Sequence, residues 1–389
     1  MLPTNKTENT ENSVMTDMLI VLLVLAAVAV YYYRMRGAIV IILSAGTCCL
    51  TDVICLHFRS KKRSRERDAS ALVTGLTLGL MMSASAPYFA VVTASVFAIV
   101  LAKHAFGGHG CEIFSPAAAG FLFTALCFPE SMLLYPRPLS STPISPMVSE
   151  SLLSQSMTKT FLLTEASSVS AMDVLIGKFS GPMGTGFMLL LVVAAAFLLL
   201  RQSISAVAFF AELLSAGIAA LIHYGFDPMA LLYFFSGGMF LFGLIFLSCD
   251  NITMPKTKSS RLVYGIVIGV LTAIFQFYAS AENAVVYAVI LAAPLGIELN
   301  RRSLSFAWML SKRGAAFSEI SKTIKHVTET IELLNGKNHN DNEKKEKKAV
   351  KKNNEKKKNT EKKEVKKNNE KKKNTEKKEN KKNNGKKKK

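Results

Sequence analysis

Not one Cys-x-x-Cys pair occurs among the six cysteines of the 389 residues, and that spacing is the usual mark of zinc or iron–sulfur ligation. A nucleotide-binding G-x-G-x-x-G run is also missing, which removes the commonest signature of a dinucleotide fold. The cysteines (Cys48, Cys49, Cys55, Cys111, Cys127 and Cys249) lie inside or beside apolar runs and read as packing residues. Acidic residues are scarce, 28 against 48 Lys plus Arg, for a formal charge of +20. The imbalance is local. Asp341 to Lys389 holds 24 Lys against 9 Asp plus Glu, a net +15, so only about +5 belongs to the first 340 residues. A chain that is 50% hydrophobic with positive mean hydropathy and yet this basic is not one compact soluble domain.

What is present is a series of apolar runs. A membrane span needs about 20 mainly apolar residues, and ten candidates lie near 16–33, 37–57, 69–85, 86–103, 115–130, 183–200, 204–223, 228–248, 261–279 and 283–299. The expected fold class is an all-α polytopic membrane protein of about ten transmembrane helices. The polar N-terminus (1–15) runs into the first candidate without a small-residue cleavage site, which predicts a retained span. "RSKKRSRERD" (59–68) carries six basic residues in ten and by the positive-inside rule lies in the cytoplasm. Both termini then fall inside, with Arg34 and Arg36 left on the outer side against the rule.

The hydrophilic segment 131–182 divides the candidates into halves of five, 16–130 and 183–300. Five being odd, any repeat relating the halves would be inverted, an arrangement common in transporters. The third candidate of each half is glycine-bearing and ends at a proline: "TGLTLGLMMSASAP" (Thr74–Pro87) and "SGGMFLFGLIFLSCDNITMP" (Ser236–Pro255). Close packing through small residues, as at Gly75-xxx-Gly79 and Gly265-xxx-Gly269, is one reading; a broken-helix binding site is the other. Residues 301–336 read as a cytoplasmic amphipathic helix, with Phe317, Ile320, Ile324, Val327, Ile331 and Leu334 on one face. It suits docking on a partner or membrane as well as pairing. The 15-residue Lys/Asn/Glu repeat in 337–389 lacks the apolar content to offset ordering entropy and is expected to be disordered. Anionic lipid suits it, specific nucleic-acid recognition does not, and a solvated extension is the bland alternative.

"HAFGGHGCEIFSPAAAG" (His104–Gly120) places Gly107, Gly108 and Gly110 between two apolar runs. Irregular backbone at membrane depth is tolerated only where it is buried in protein or lines a cavity, so the stretch is a candidate site. Glu112 and Asp250 at helix ends read as ion-path groups or as caps and interfacial residues, and His104 and His109 as candidate proton carriers with no partner identifiable in the sequence.

Four stretches in order resemble one membrane family: "RDASALVTGLTLGL" from Arg67, "AKHAFGGHGCEIFSPAAAG" from Ala102, "GKFSGPMGTGFMLLLVVAAAFLLLRQSIS" from Gly177 and "CDNITMPKTKSSRLVYGIVIGVLTAIF" from Cys249. The family is that of the D subunit of the Rnf electron-transport complex and the B subunit of the sodium-translocating NADH:quinone oxidoreductase. The resemblance implies a subunit that carries electrons through FMN inside an ion-pumping assembly in a bacterial inner membrane, with other Rnf subunits as partners. For the Rnf branch it implies transfer from ferredoxin to NAD coupled to sodium or proton export; a second, noncovalent flavin stays open. In the family FMN is joined by its phosphate to a threonine of a D-x-x-S-G-A-T-like motif. The matching place reads "TEASSVSAMDVLIG": with Ser167 on the family's serine, Ser168 takes the glycine, Val169 the alanine and Ser170 the flavin-bearing threonine. The departures are the missing glycine and leading aspartate, and Thr164 is the nearest other threonine. Gly107 and Gly108 match glycines that approach a quinone headgroup in the quinone-reducing relatives and would shape a half-helix or flavin pocket in an Rnf member. The alternatives are a flavin-less structural member of such a complex and a stand-alone channel or secondary transporter.

Overall fold

The computed structural model describes residues 4–58, 69–108, 110–139, 144–145, 147–154, 156, 170–250, 253–278 and 282–301, excepting side chains before residue 13 and at 150 and 171. The basic loop 59–68, His109, Thr164, Ser167, Ser168, Val169, the amphipathic segment and the lysine repeat lie outside these.

Helices apolar on every side can face protein on one side and lipid on the other, and the chain is built from them: Ile20, Leu23, Leu214 and Ile218 stay exposed while Leu22 and Ala216 are buried. Helix α1 (Thr4–Phe58) covers the first two candidate spans and breaks at Arg34, where φ is 56°. Its two limbs take different neighbours. The first, through Ile20, Val24 and Leu25, faces Leu190, Val193 and Phe197 of the later helix Met188–Leu200 across an apolar cavity. The second packs on α2 (Ser70–Met81): a Cβ on Gly75 would sit 2.6 Å from Ala45 Cα, and one on Gly79 would sit 3.2 Å from Ile41 Cα. The glycine pair is a contact stripe, as small-residue packing requires.

Helix α2 stops at Met81, where Met82 turns extended with ψ 159°. Residues 82–86 are irregular and wholly buried, which in a membrane demands partners for every backbone group. Arg36 supplies several of them: its guanidinium donates to the carbonyls of Ala84 (2.6 Å), Ser85 (3.1 Å) and Ala86 (3.3 Å), and to that of Ser145. Gly184 N–H donates to Leu80 O (2.7 Å) and Met183 N–H to Met82 O (3.2 Å). Arg36 is 1% exposed and lies over the Tyr88 ring. Arg36, which the sequence reading put in a loop on the outer side, is thus an internal clamp and not an exposed loop charge.

After the break, α3 (Tyr88–Phe97) continues as a π-helix to His104. Helix α4 (Pro116–Cys127) and the single turn α5 (Pro129–Met132) follow. Strands β1 (Tyr135–Pro136) and β2 (Leu153–Ser154) pair antiparallel, Tyr135 opposite Ser154, so the fold is helical with one small ribbon and not wholly α. Then come α6 (Ala171–Ile176), α7 (Met188–Leu200) and α8 (Ala206–Tyr224). Helix α9 (Pro228–Ser236) is bent by 51° from α10 (Phe240–Gly243) with its π-helical extension to Ser248. At this second break Gly238 has φ 55° and a Cβ there would lie 2.5 Å from Glu282 O. Helices α11 (Lys258–Tyr278) and α12 (Ala284–Arg301) complete the described chain. Gly265 and Gly269 of α11 press on the α8 backbone at Ala208 and Glu212.

Among the described residues four helices are long and apolar enough to cross a membrane, five if the bent pair is one span. The candidates 69–85, 115–130 and 183–200 hold helices of 12, 12 and 13 residues, about 18–20 Å each against a hydrocarbon core of about 30 Å. Ten full-length spans are therefore not what the helix lengths give.

Candidate functional site

The paired glycines close a helix. Gly107 (φ 124°), Gly108 (φ 89°) and Gly110 (φ 83°) all occupy the positive-φ region, which L side chains avoid. The turn lets Gly107 N–H reach His104 O (3.2 Å) and Gly108 N–H reach Lys103 O (3.0 Å), satisfying carbonyls that the end of α3 would otherwise orphan.

That closure holds a buried ionic cluster. Lys103, 2% exposed, donates from Nζ to Asp52 Oδ1 (3.0 Å) and to Ser70 Oγ (2.8 Å). His104 Nε2 lies 2.8 Å from the same Asp52 oxygen, while its Nδ1 is buried with no partner among the described residues. Lys103 and Asp52 thus form a buried pair of opposite charge, with the His104 ring on the same carboxylate oxygen. Glu112, in the turn before α4, is half-buried, and Asp250, following α10, is half-buried too.

Ser170 is elsewhere. It is exposed and caps α6, its Oγ accepting from Asp173 N–H (3.2 Å) and donating to Asp173 Oδ2 (2.9 Å). Helix α6 is tied down by Tyr32, whose hydroxyl donates to Ile176 O (2.9 Å), and by Val174, which clusters with Phe179 and Tyr233. Tyr32 and Arg36 flank the break in α1, whereas Asp52 is 16 residues beyond Arg36, about 24 Å along a helix. The structure thus separates Ser170 from Gly107 and Gly108. For a phosphate-linked FMN, Ser170 offers a reachable hydroxyl and so fits the bond. The Asp173 carboxylate is the opposing feature, because it lies where a phosphate of like sign would sit.

A third polar centre lies at the buried junction of the two breaks. Tyr33 donates to Gly181 O (3.2 Å), and Tyr135 is fully buried. Burial, with the Glu282 carboxylate beside it, pushes the Tyr135 phenol well above its ordinary value. Sequence reasoning missed Asp52, Arg36 and Glu282 as site residues. A lone acid or arginine inside an apolar run was the available signal.

Apolar helices broken at depth, with the freed backbone satisfied by a buried arginine and by neighbouring amides, define a multi-pass helical membrane protein. The family is equally definite. The chain belongs to the NQR2, RnfD, RnfE family, whose model matches residues 2–296. It is similar to the D subunit of the ion-translocating oxidoreductase complex of Yersinia enterocolitica, 28% identical over 328 residues that cover 75% of this chain and 92% of that protein. The protein of the same name from Erwinia tasmaniensis is 26% identical over 331 residues, with the same shares. That from Actinobacillus succinogenes is 28% identical over 298 residues, 68% of this chain and 84% of the relative.

Proposed function

We propose that this chain is a membrane component of an ion-translocating oxidoreductase complex, carrying electrons through FMN on Ser170 between ferredoxin and NAD, coupled to sodium or proton export. The observation that carries the reading is the family match across residues 2–296, which takes in both broken segments and Ser170. Bound flavin supplies one- and two-electron transfer. The chain's own part is positional: Ser170 provides the linking oxygen, Tyr32 and the Val174–Phe179–Tyr233 cluster fix α6, and the clamped breaks keep backbone at depth without exposing it to lipid.

The ten-segment arrangement in two inverted halves belongs to this reading. Its support is that each half has a broken segment, at 82–87 and at 237–239, followed by a helix that ends in a π stretch, 98–104 and 244–248. Multi-pass placement rests on the apolar helices and the family, a bacterial inner membrane on the family and the loop charges, and cytoplasmic termini on the loop charges alone. Contact of the lysine tail with anionic lipid rests on its composition. Other subunits of the complex are the expected partners.

A second reading, a structural component without flavin, is favoured by Asp173 standing 2.9 Å from Ser170 Oγ. Affinity purification of the full chain from its native membrane tests the common part. The proposal expects iron–sulfur and flavin subunits to co-purify and ferredoxin-dependent NAD reduction to be lost when the chain is deleted. Purification alone, with unchanged NAD reduction in the deletion strain, would contradict both readings and leave a stand-alone transporter.

A further inference from the structure

Helix α8 carries an acid in its apolar sequence, Glu212, six residues from its start and about 9 Å along its axis. It is 0% exposed, and neither carboxylate oxygen has a hydrogen-bond partner among the described residues. The packing leaves no slack for it to withdraw: a Cβ on Gly269 of α11 would lie 2.5 Å from Glu212 O and 2.0 Å from Ser215 Oγ. The glycine stripe therefore presses α11 onto the turn that bears the acid.

The side chains that act on it come from the end of α10 and from α11. Ser248 and Cys249 at the end of α10 and Tyr264 of α11 lie within electrostatic reach of the carboxylate. Asp250 and Arg261 stand one shell further out, interacting with Cys249. Among the described residues no cation acts on Glu212 itself. An unpaired charged carboxylate at this depth costs several kcal/mol (order of magnitude), so the group is stable only when a cation sits on it.

We infer that Glu212 is a proton-binding site of this chain, loaded as the neutral acid at rest and emptied when a partner group or water accepts the proton. A metal cation such as sodium needs a shell of converging oxygens, whereas the groups that act on this carboxylate are one hydroxyl, Ser248, one thiol, Cys249, and one phenol, Tyr264. So small a set of oxygens suits a proton. This deepens the ion-translocating reading and rests on it, but the site can be tested without any turnover of the complex.

The probe is dicyclohexylcarbodiimide, applied to native membranes that hold the full chain. It reacts only with a protonated carboxyl in an apolar setting: the carboxyl oxygen bonds to the carbodiimide carbon and the carboxyl proton moves to nitrogen, with no leaving group. The expected result is a mass increase on the peptide containing Glu212 that is lost as pH is raised, is indifferent to replacing choline by sodium at equal ionic strength, and is absent from E212Q. Protection by sodium at fixed pH would overturn the proton assignment. The infrared band of a protonated carboxyl provides the second measurement, read as wild type minus E212Q in protein of unchanged melting temperature. Its presence supports the site even where reagent access is poor, and its absence at acidic pH overturns it.

Discussion

At the residue scale, polar groups inside apolar segments are held by specific partners, and removing one partner is the sharpest perturbation. Asp52→Asn leaves Lys103 buried without a counter-charge, so the expected loss is about 3–5 kcal/mol, read as a drop in melting temperature in detergent. A double replacement of both residues by apolar ones should recover most of it. Tyr135 offers a pH test. Its phenol is raised by burial and by Glu282, so its contribution to stability is fully present below the ordinary phenol value of about 10 and is lost as pH rises through the folded value. Tyr135→Phe should match the wild type near neutrality and outlast it in alkaline titration; equal alkaline loss would contradict the cause assigned. Glycines 107 and 108 were legible as special in sequence, because paired glycines between apolar runs have few uses. Their use as a positive-φ helix closure over Lys103 and His104 was not, since nothing local shows which carbonyls need satisfying.

At the element scale, apolar composition placed helix in the right regions but could not tell a full span from a half. The segment 69–85 reads as one run, yet its helix ends at Met81 because the chain beyond is held by Arg36, a residue far away in sequence. The break at 237–239 was one of two readings the sequence left open: glycines Gly237 and Gly238 suggest close packing as readily as a bend, and the approach of Glu282 O decides for the bend. The Gly75/Gly79 and Gly265/Gly269 pairs act as the contact stripes that one of the two sequence readings expected, since spacing by four puts both on one helix face. Gly269→Leu should force α8 and α11 apart and destabilise the protein by about 1–3 kcal/mol. Gly46→Leu is the control, because a Cβ there meets nothing within 4 Å. Equal effects of the two would deny that the stripe is tight.

At the scale of the whole molecule, the family was legible from the order and spacing of four stretches, and the match over residues 2–296 places the chain in it. The separation of Ser170 from the glycine turn was not legible, because a topology drawn from loop charges gives sides of a membrane and not distances through the fold. The flavin proposal turns on one hydroxyl and its acidic neighbour. The most direct measurement is the intact mass of the peptide spanning 131–178, from protein made together with its native flavin-attaching enzyme, alongside in-gel flavin fluorescence and a Ser170→Ala control. The account predicts a mass increase equal to FMN less water, localised to Ser170 and absent from the control. An unmodified peptide from a complex that retains its redox partners would contradict it and leave this chain as the complex's flavin-less scaffold.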